Sequence, residues 1–169
     1  MKNISIYIIL VFALCFGLKA QAQQPVIMEY SAKLAGLSEL QAQLLDGLIN
    51  GASSMVFIDS EGSPDIYQRG DEQVKKIMLR RPSEFDSIVK TYGDQLAGVQ
   101  VINIEWNGTD VFTFPTNTMS TLPNLEYVHI RSYQNLSPQT ITRGFQGLVV
   151  LMENSEDIEV LYSITEEAQ

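Results

Sequence analysis

The chain has 169 residues, 45% of them hydrophobic, and carries 11 Lys and Arg against 20 Asp and Glu for a formal charge of −9. So acidic a chain repels phosphate backbones, which argues against nucleic acid as a partner. A single cysteine rules out a disulfide framework, and the length suits one domain with its own core.

Met1, Lys2 and Asn3 precede an apolar run from Ile4 to Leu18, and Lys19 leads into Ala20-Gln21-Ala22. A short basic start, an apolar middle and a small-x-small site read as a secretory signal peptide over 1–22. The run is shorter than the roughly 20 residues a spanning helix needs, and no later stretch is long and apolar enough. Leu14 stands where a lipoprotein site has a small residue, so an anchor on Cys15 is not expected. The Ala-Gln-Ala-Gln ending resembles leaders of Bacteroidota, which implies export to the periplasm, the outer surface or the medium. Losing Lys2 and Lys19 with the leader moves the formal charge from −9 to −11. It also removes Cys15, and with it thiolate chemistry and cysteine-ligated metals.

Residues 23–169 then form one domain. Val26-Ile27-Met28 reads as a short strand or a cap over the first core layer. Leu34, Leu37, Leu40, Leu44, Leu45 and Leu48 recur at steps of three and four. They predict one core-facing helix from Leu34 to Ile49, closed by Asn50-Gly51. Its polar face almost lacks Lys and Arg, unlike a membrane-surface helix. Met55 to Ile58 predicts a buried strand, stopped by the turn Asp59 to Pro64. That turn is no EF-hand, since the twelfth position from Asp59 is Gly70 rather than glutamate. Arg69-Gly70-Asp71 spells the integrin-binding tripeptide, but Asp71 here reads as the N-cap of a helix from Glu72 to about Arg80, with Val74, Ile77 and Met78 inward. Pro82 sets a boundary, and Ser83 opens a further helix through Phe85, Ile88, Val89 and Tyr92 that Gly93 closes.

The most informative stretch begins at Leu96. Leu96, Val99, Ile102 and Ile104 are matched by Leu122, Leu125, Val128 and Ile130, each 26 residues on. Asn107 stands three residues after the last apolar position, where its side chain can bond the backbone of the turn leaving the strand. Val111 to Pro115 reads as a return stretch, and Leu122-Pro123-Asn124-Leu125 opens the second copy. Tyr133, where the second asparagine would stand, is a departure. Ser137-Pro138 starts a helix lined by Ile141, Phe145 and Leu148. Ile158 to Ser163 forms a fainter third copy, laid on Leu125 to Ile130, and Met55 to Ile58 a still earlier strand.

This L-x-x-L-x-x-L-x-L wording, clearest over 96–135, resembles the leucine-rich repeats of secreted bacterial proteins. The resemblance implies an α/β fold, a short solenoid with a parallel sheet and helical connections. An ordinary α/β sandwich with the same strands stays open as the alternative. In the solenoid register Ile102, Ile104, Val128, Ile130, Leu161 and Ser163 point inward. Asn103, Glu105, Tyr127, His129, Arg131 and Tyr162 then line the concave strand face as binding residues, with Glu105 and Arg131 within pairing distance. The function this resemblance implies is that of a non-enzymatic module, recognising a protein or glycan partner through aromatic and Arg contacts.

Little in the sequence suggests catalysis. His129 is the single histidine, and no carboxylate shares a helical i+4 face with it. No G-x-S-x-G accompanies a serine, and the glycines are too scattered for a phosphate loop. Neither a metal nor a cofactor is expected. Two of the acids meeting in space would allow a carboxylate-dependent envelope hydrolase, and a purely structural envelope protein is a third possibility. Glu153, Glu156, Asp157, Glu159, Glu166 and Glu167 read as a solvated acidic end. Asn107-Gly108-Thr109 and Asn135-Leu136-Ser137 match the glycosylation sequon, which a bacterial leader makes idle. With so few repeats, edge-to-edge pairing into a homodimer stays open.

Overall fold

A computed structural model describes residues 26–115, 117–153 and 158–165. The expected leader over 1–22 lies outside the described residues, as do Glu156, Asp157, Glu166 and Glu167 of the acidic end. The strands are β1 (Ile27–Glu29), β2 (Met55–Ile58), β3 (Pro64–Tyr67), β4 (Lys76–Leu79), β5 (Val101–Glu105), β6 (Tyr127–Ser132) and β7 (Glu159–Ile164). The helices are α1 (Tyr30–Ala35), α2 (Glu39–Ile49), α3 (Glu84–Tyr92), α4 (Thr118–Thr121), α5 (Pro138–Gly144) and α6 (Leu148–Glu153), with a 3-10 turn over Gly93–Gly98.

All seven strands join one sheet in the order β1-β7-β6-β5-β4-β2-β3. Every neighbouring pair is parallel except β2 with β3. The architecture is therefore α/β, with a mostly parallel sheet buried on one face and partly covered on the other. Among the described residues no helix is long and apolar enough to cross a membrane.

The main core lies on one face. Leu96, Val99, Ile102, Ile104, Leu122, Leu125, Val128 and Ile130 all sit in it, none more than 3% exposed. Every position of the matched pattern is thus an inward one. At roughly 1.5–3 kcal/mol per buried Leu, Ile or Val, these eight positions dominate the packing of this face. Phe85 and Ile88 of α3, Ile141 of α5 and Leu148, Leu151 and Met152 of α6 cover the same core. Asn107 closes its turn as expected, its Oδ1 accepting from the Thr109 and Asp110 N–H groups. Phe112 and Phe114 of the return stretch are buried, with the Phe112 ring stacked 5.1 Å from Phe145. Ser137 caps α5 by accepting from Thr140 N–H.

The fold departs from expectation in four places. The predicted helix from Glu72 to Arg80 is instead β4, inserted between β2 and β5. Ile77 and Leu79 alternate with Lys76 and Met78, and so short an apolar run fits a central strand as well as a helix turn. The helix from Leu34 to Ile49 is broken at Gly36 to Ser38 into α1 and α2. Leu40 and Leu44 face outward, 67% and 66% exposed, while Leu34, Leu37, Leu45, Leu48 and Ile49 pack against the sheet. β3 was unforeseen, because Pro64 follows a turn and its strand exposes alternate residues at the sheet edge.

The fourth departure is the register of β7. Glu159 pairs with Tyr127 and Leu161 with His129, one residue off the expected alignment. A one-residue slip exchanges the two faces of a strand. Val160 and Tyr162 therefore join the main core, and Leu161 and Ser163 share the opposite face with His129 and Arg131.

Candidate functional site

The face opposite the main core carries side chains in three rows. Lys76, Val101, Tyr127 and Glu159 form the first, and Met78, Asn103, His129 and Leu161 the second. Glu105, Arg131 and Ser163 form the third, toward the C-terminal ends of the strands. The α1–α2 hairpin covers most of the first two rows. Asn103 and His129 are 3% and 1% exposed beneath it, and Tyr127 is half-buried. The third row stays open.

The hairpin docks through polar bonds as well as leucines. Carbonyls at a helix C-terminus lack intrahelical partners and carry partial negative charge. Lys76 Nζ donates to the carbonyls of Ile49 (2.8 Å) and Gly51 (3.0 Å), and Asn103 Nδ2 donates to Ile49 (2.9 Å). Burial pushes the Lys76 ammonium below the usual lysine range, and Arg131 pushes the same way. Lys33 of α1 pairs with Glu159 of β7 at 2.6 Å. Tyr30 lays its ring 5.1 Å from that of His129, and its hydroxyl donates to Asp46 (2.7 Å). Burial raises the Tyr30 hydroxyl, with Asp46 adding to it, whereas the bonds from Tyr30 and Asn50 hold the Asp46 carboxyl low. Burial, followed by Glu159, also raises the Tyr127 hydroxyl.

His129 is neutral in this setting. Burial, followed by Arg131 and Lys76, pushes its pKa down to about 4. Its Nε2 lies 2.8 Å from Ser163 Oγ, the spacing of a nucleophile and its base. Yet among the described residues Nδ1 meets no acceptor that would orient the ring, and the hairpin shields the imidazole from solvent. The contact is a hydrogen bond of the interior.

Beyond the hairpin, β4 to β7 end around an open pocket of about 390 Å³. Crevices outside the carboxyl ends of parallel strands are where open α/β sheets bind ligands. Arg80, Glu105, Asn107, Arg131, Tyr133 and Thr165 line it. Glu105 bridges two arginines: its Oε2 meets Arg80 Nε and its Oε1 meets Arg131 Nη2, both at 3.1 Å. Arg131 Nε is buried without an acceptor among the described residues. Among the described residues, no group of His, Cys, Asp and Glu is placed to hold a metal ion.

Of the six residues expected to form one binding face, the structure brings two into this pocket. Glu105 and Arg131 pair as expected. Asn103, Tyr127 and His129 share their face but lie under the hairpin, and Tyr162 points to the other side. Arg80 and Tyr133 were missed. Arg80 precedes Glu105 by nearly the repeat spacing, so reading residues 76–79 as a strand would have found it. Tyr133 was visible only as a departure from the repeat wording, at the asparagine position. Comparison of the chain with protein families, with curated proteins and with solved structures gives no match.

Proposed function

We propose that this is an exported, non-enzymatic binding module that recognises a protein or glycan partner through the open end of the strand face. The observation that carries the reading is the pocket where four parallel strands end, with two arginines and an exposed tyrosine around it. Arg and Tyr supply much of the binding energy at interfaces, because each combines apolar area with directional donors. Tyr133 is 66% exposed and free to pack against a ligand. The contact set is accordingly Arg80, Arg131 and Tyr133, with Glu105 holding the two arginines in place.

Kinship with leucine-rich repeats belongs to the same proposal. In its favour, β4 to β7 lie side by side in chain order, and the helices between them pack on one face. The 26-residue match of inward positions and the Asn107 turn support it too. The hairpin over the opposite face favours an ordinary α/β fold instead. A carboxylate-dependent hydrolase would need a second acid across the cleft, and among the described residues Glu105 is the carboxylate that lines this pocket.

The test is an affinity capture from cell-envelope extract, with the wild-type protein and an Arg131→Ala, Tyr133→Ala variant as parallel baits. A partner held by the first and lost by the folded variant is expected. Equal capture by both would place the site elsewhere.

A further inference from the structure

The pocket does not end at Arg80. On the other side of that side chain, Met55 and Phe57 of β2 and Met78 of β4 floor a second pocket of about 180 Å³. These three belong to the strand face that the hairpin leaves bare, and all are partly exposed. Glu84 also lines it, but its oxygens are taken by the backbone N–H groups of Arg80 and Arg81 and by Arg81 Nε. Arg80 lines both pockets, so a groove running past it has Met55, Phe57 and Met78 on one side and Glu105, Asn107 and Arg131 on the other.

Charge complementarity narrows the occupant. Arg81 is committed to Glu84, and Glu105 is shared by Arg80 and Arg131, so among the described residues two arginines meet one carboxylate at the wider pocket. Glu105 engages Arg80 only through Nε. Among the described residues no acceptor meets the terminal nitrogens of that guanidinium, which is 70% exposed. A planar fork of this kind suits a carboxylate, which it can hold by two parallel bonds.

Resting on the binding-module reading, we propose that the groove takes the C-terminus of a peptide ending in a large apolar residue. Arg80 and Arg131 clamp the terminal carboxylate. The last side chain enters the pocket over Met55, Phe57 and Met78, which has room for one aromatic or branched aliphatic group rather than a long acyl chain. The wider pocket is larger than a carboxylate needs, and Asn107 and Thr165 offer hydrogen bonds to the preceding amides, beside the Tyr133 ring. Capture of a chain-terminal carboxylate together with its side chain is an established mode of peptide recognition.

The experiment titrates the full-length protein with N-acetyl-Ala-Ala-Phe as the free acid, the same peptide as C-terminal amide, and 3-phenylpropionate. Binding is read by NMR shifts and by the emission of Trp106, the single tryptophan, which lines the wider pocket. The acid is expected to bind at least about tenfold tighter than the amide. Arg80→Gln, at an exposed side chain, should remove that preference, and Met78→Asp should weaken the acid further. Equal binding of acid and amide, or of acid by wild type and Arg80→Gln, overturns the carboxylate clamp. Phenylpropionate binding as tightly as the peptide overturns the peptide assignment in favour of a free acid. No binding of any probe overturns the ligand class. If a captured partner still depends on Arg131 and Tyr133 in that case, the binding-module reading stands without it.

Discussion

His129 lies in the sheet interior as a neutral imidazole, and protonating it there places a charge beside Lys76 and Arg131 with the Tyr30 ring against it. An unfolded chain binds that proton near the ordinary value of 6.5, whereas the folded chain resists until about pH 4. Between those limits the unfolded state holds more protons, so stability falls as pH falls. The gap between the two values corresponds to about 3 kcal/mol. Native carboxylates titrate over part of the same range, so His129→Gln supplies the reference: its amide keeps a partner for Ser163 but does not titrate. Urea unfolding of both proteins at half-unit steps from pH 7.5 to 3.5 measures the difference. Wild type should lose about 3 kcal/mol more than the variant between pH 6.5 and 4, with the curves parallel above pH 7. Parallel curves throughout would mean that His129 is solvated or finds a proton acceptor, and would refute the buried, neutral assignment.

Gly144→Ala would place a methyl 2.7 Å from Trp106 Cζ2, in a cluster where that indole lies 5.2 Å from Phe145. Overpacking of this kind costs about 1–3 kcal/mol, and the Trp106 emission should shift with it. Lys76→Met should cost about 1–3 kcal/mol by removing charge-assisted bonds to the Ile49 and Gly51 carbonyls, which keep Asn103 Nδ2 and the Ser53 N–H as donors, and should raise hydrogen exchange in residues 30–51 before that in β5 and β6. A raised melting temperature would instead show that the buried charge outweighs its bonds. Glu105→Gln should change stability by less than about 1 kcal/mol, since both of its ion pairs are solvent-exposed. The same change should strengthen binding of an anionic ligand, and a loss of binding would make Glu105 a contact in its own right.

The sequence was readable where one face of a strand is strictly apolar. Ile102 and Ile104 against Asn103 and Glu105, with Val128 and Ile130 against His129 and Arg131, leave one workable register between β5 and β6. The Glu105–Arg131 pair results from it. β7 offers Val160, Leu161 and Tyr162 in succession, and both of its faces are buried, so alternation could not choose between two registers. Leu40 and Leu44 repeat with helical spacing yet face outward, because a short turn at Gly36 reorients the helix after it. The pocket was half visible for a related reason. Its Glu105 and Arg131 come from the two best-patterned strands, whereas Arg80 comes after a four-residue strand whose wording also fits a helix.

The pairing of β1 with β7, Ile27 beside Val160, joins the first described strand to the last. Lys33 and Tyr30 reach the same distant strands, through Glu159 and His129. Contacts so far apart in sequence cost loop entropy before they repay it, and they slow folding. During synthesis β1 has nothing to pair with until β7 has left the ribosome. The hairpin can meet Lys76, Asn103 and His129 earlier, but its Lys33–Glu159 bridge waits for β7. The β1 edge of the sheet is thus closed only once β7 has been made, and the fold is completed from its two sequence-distant ends together.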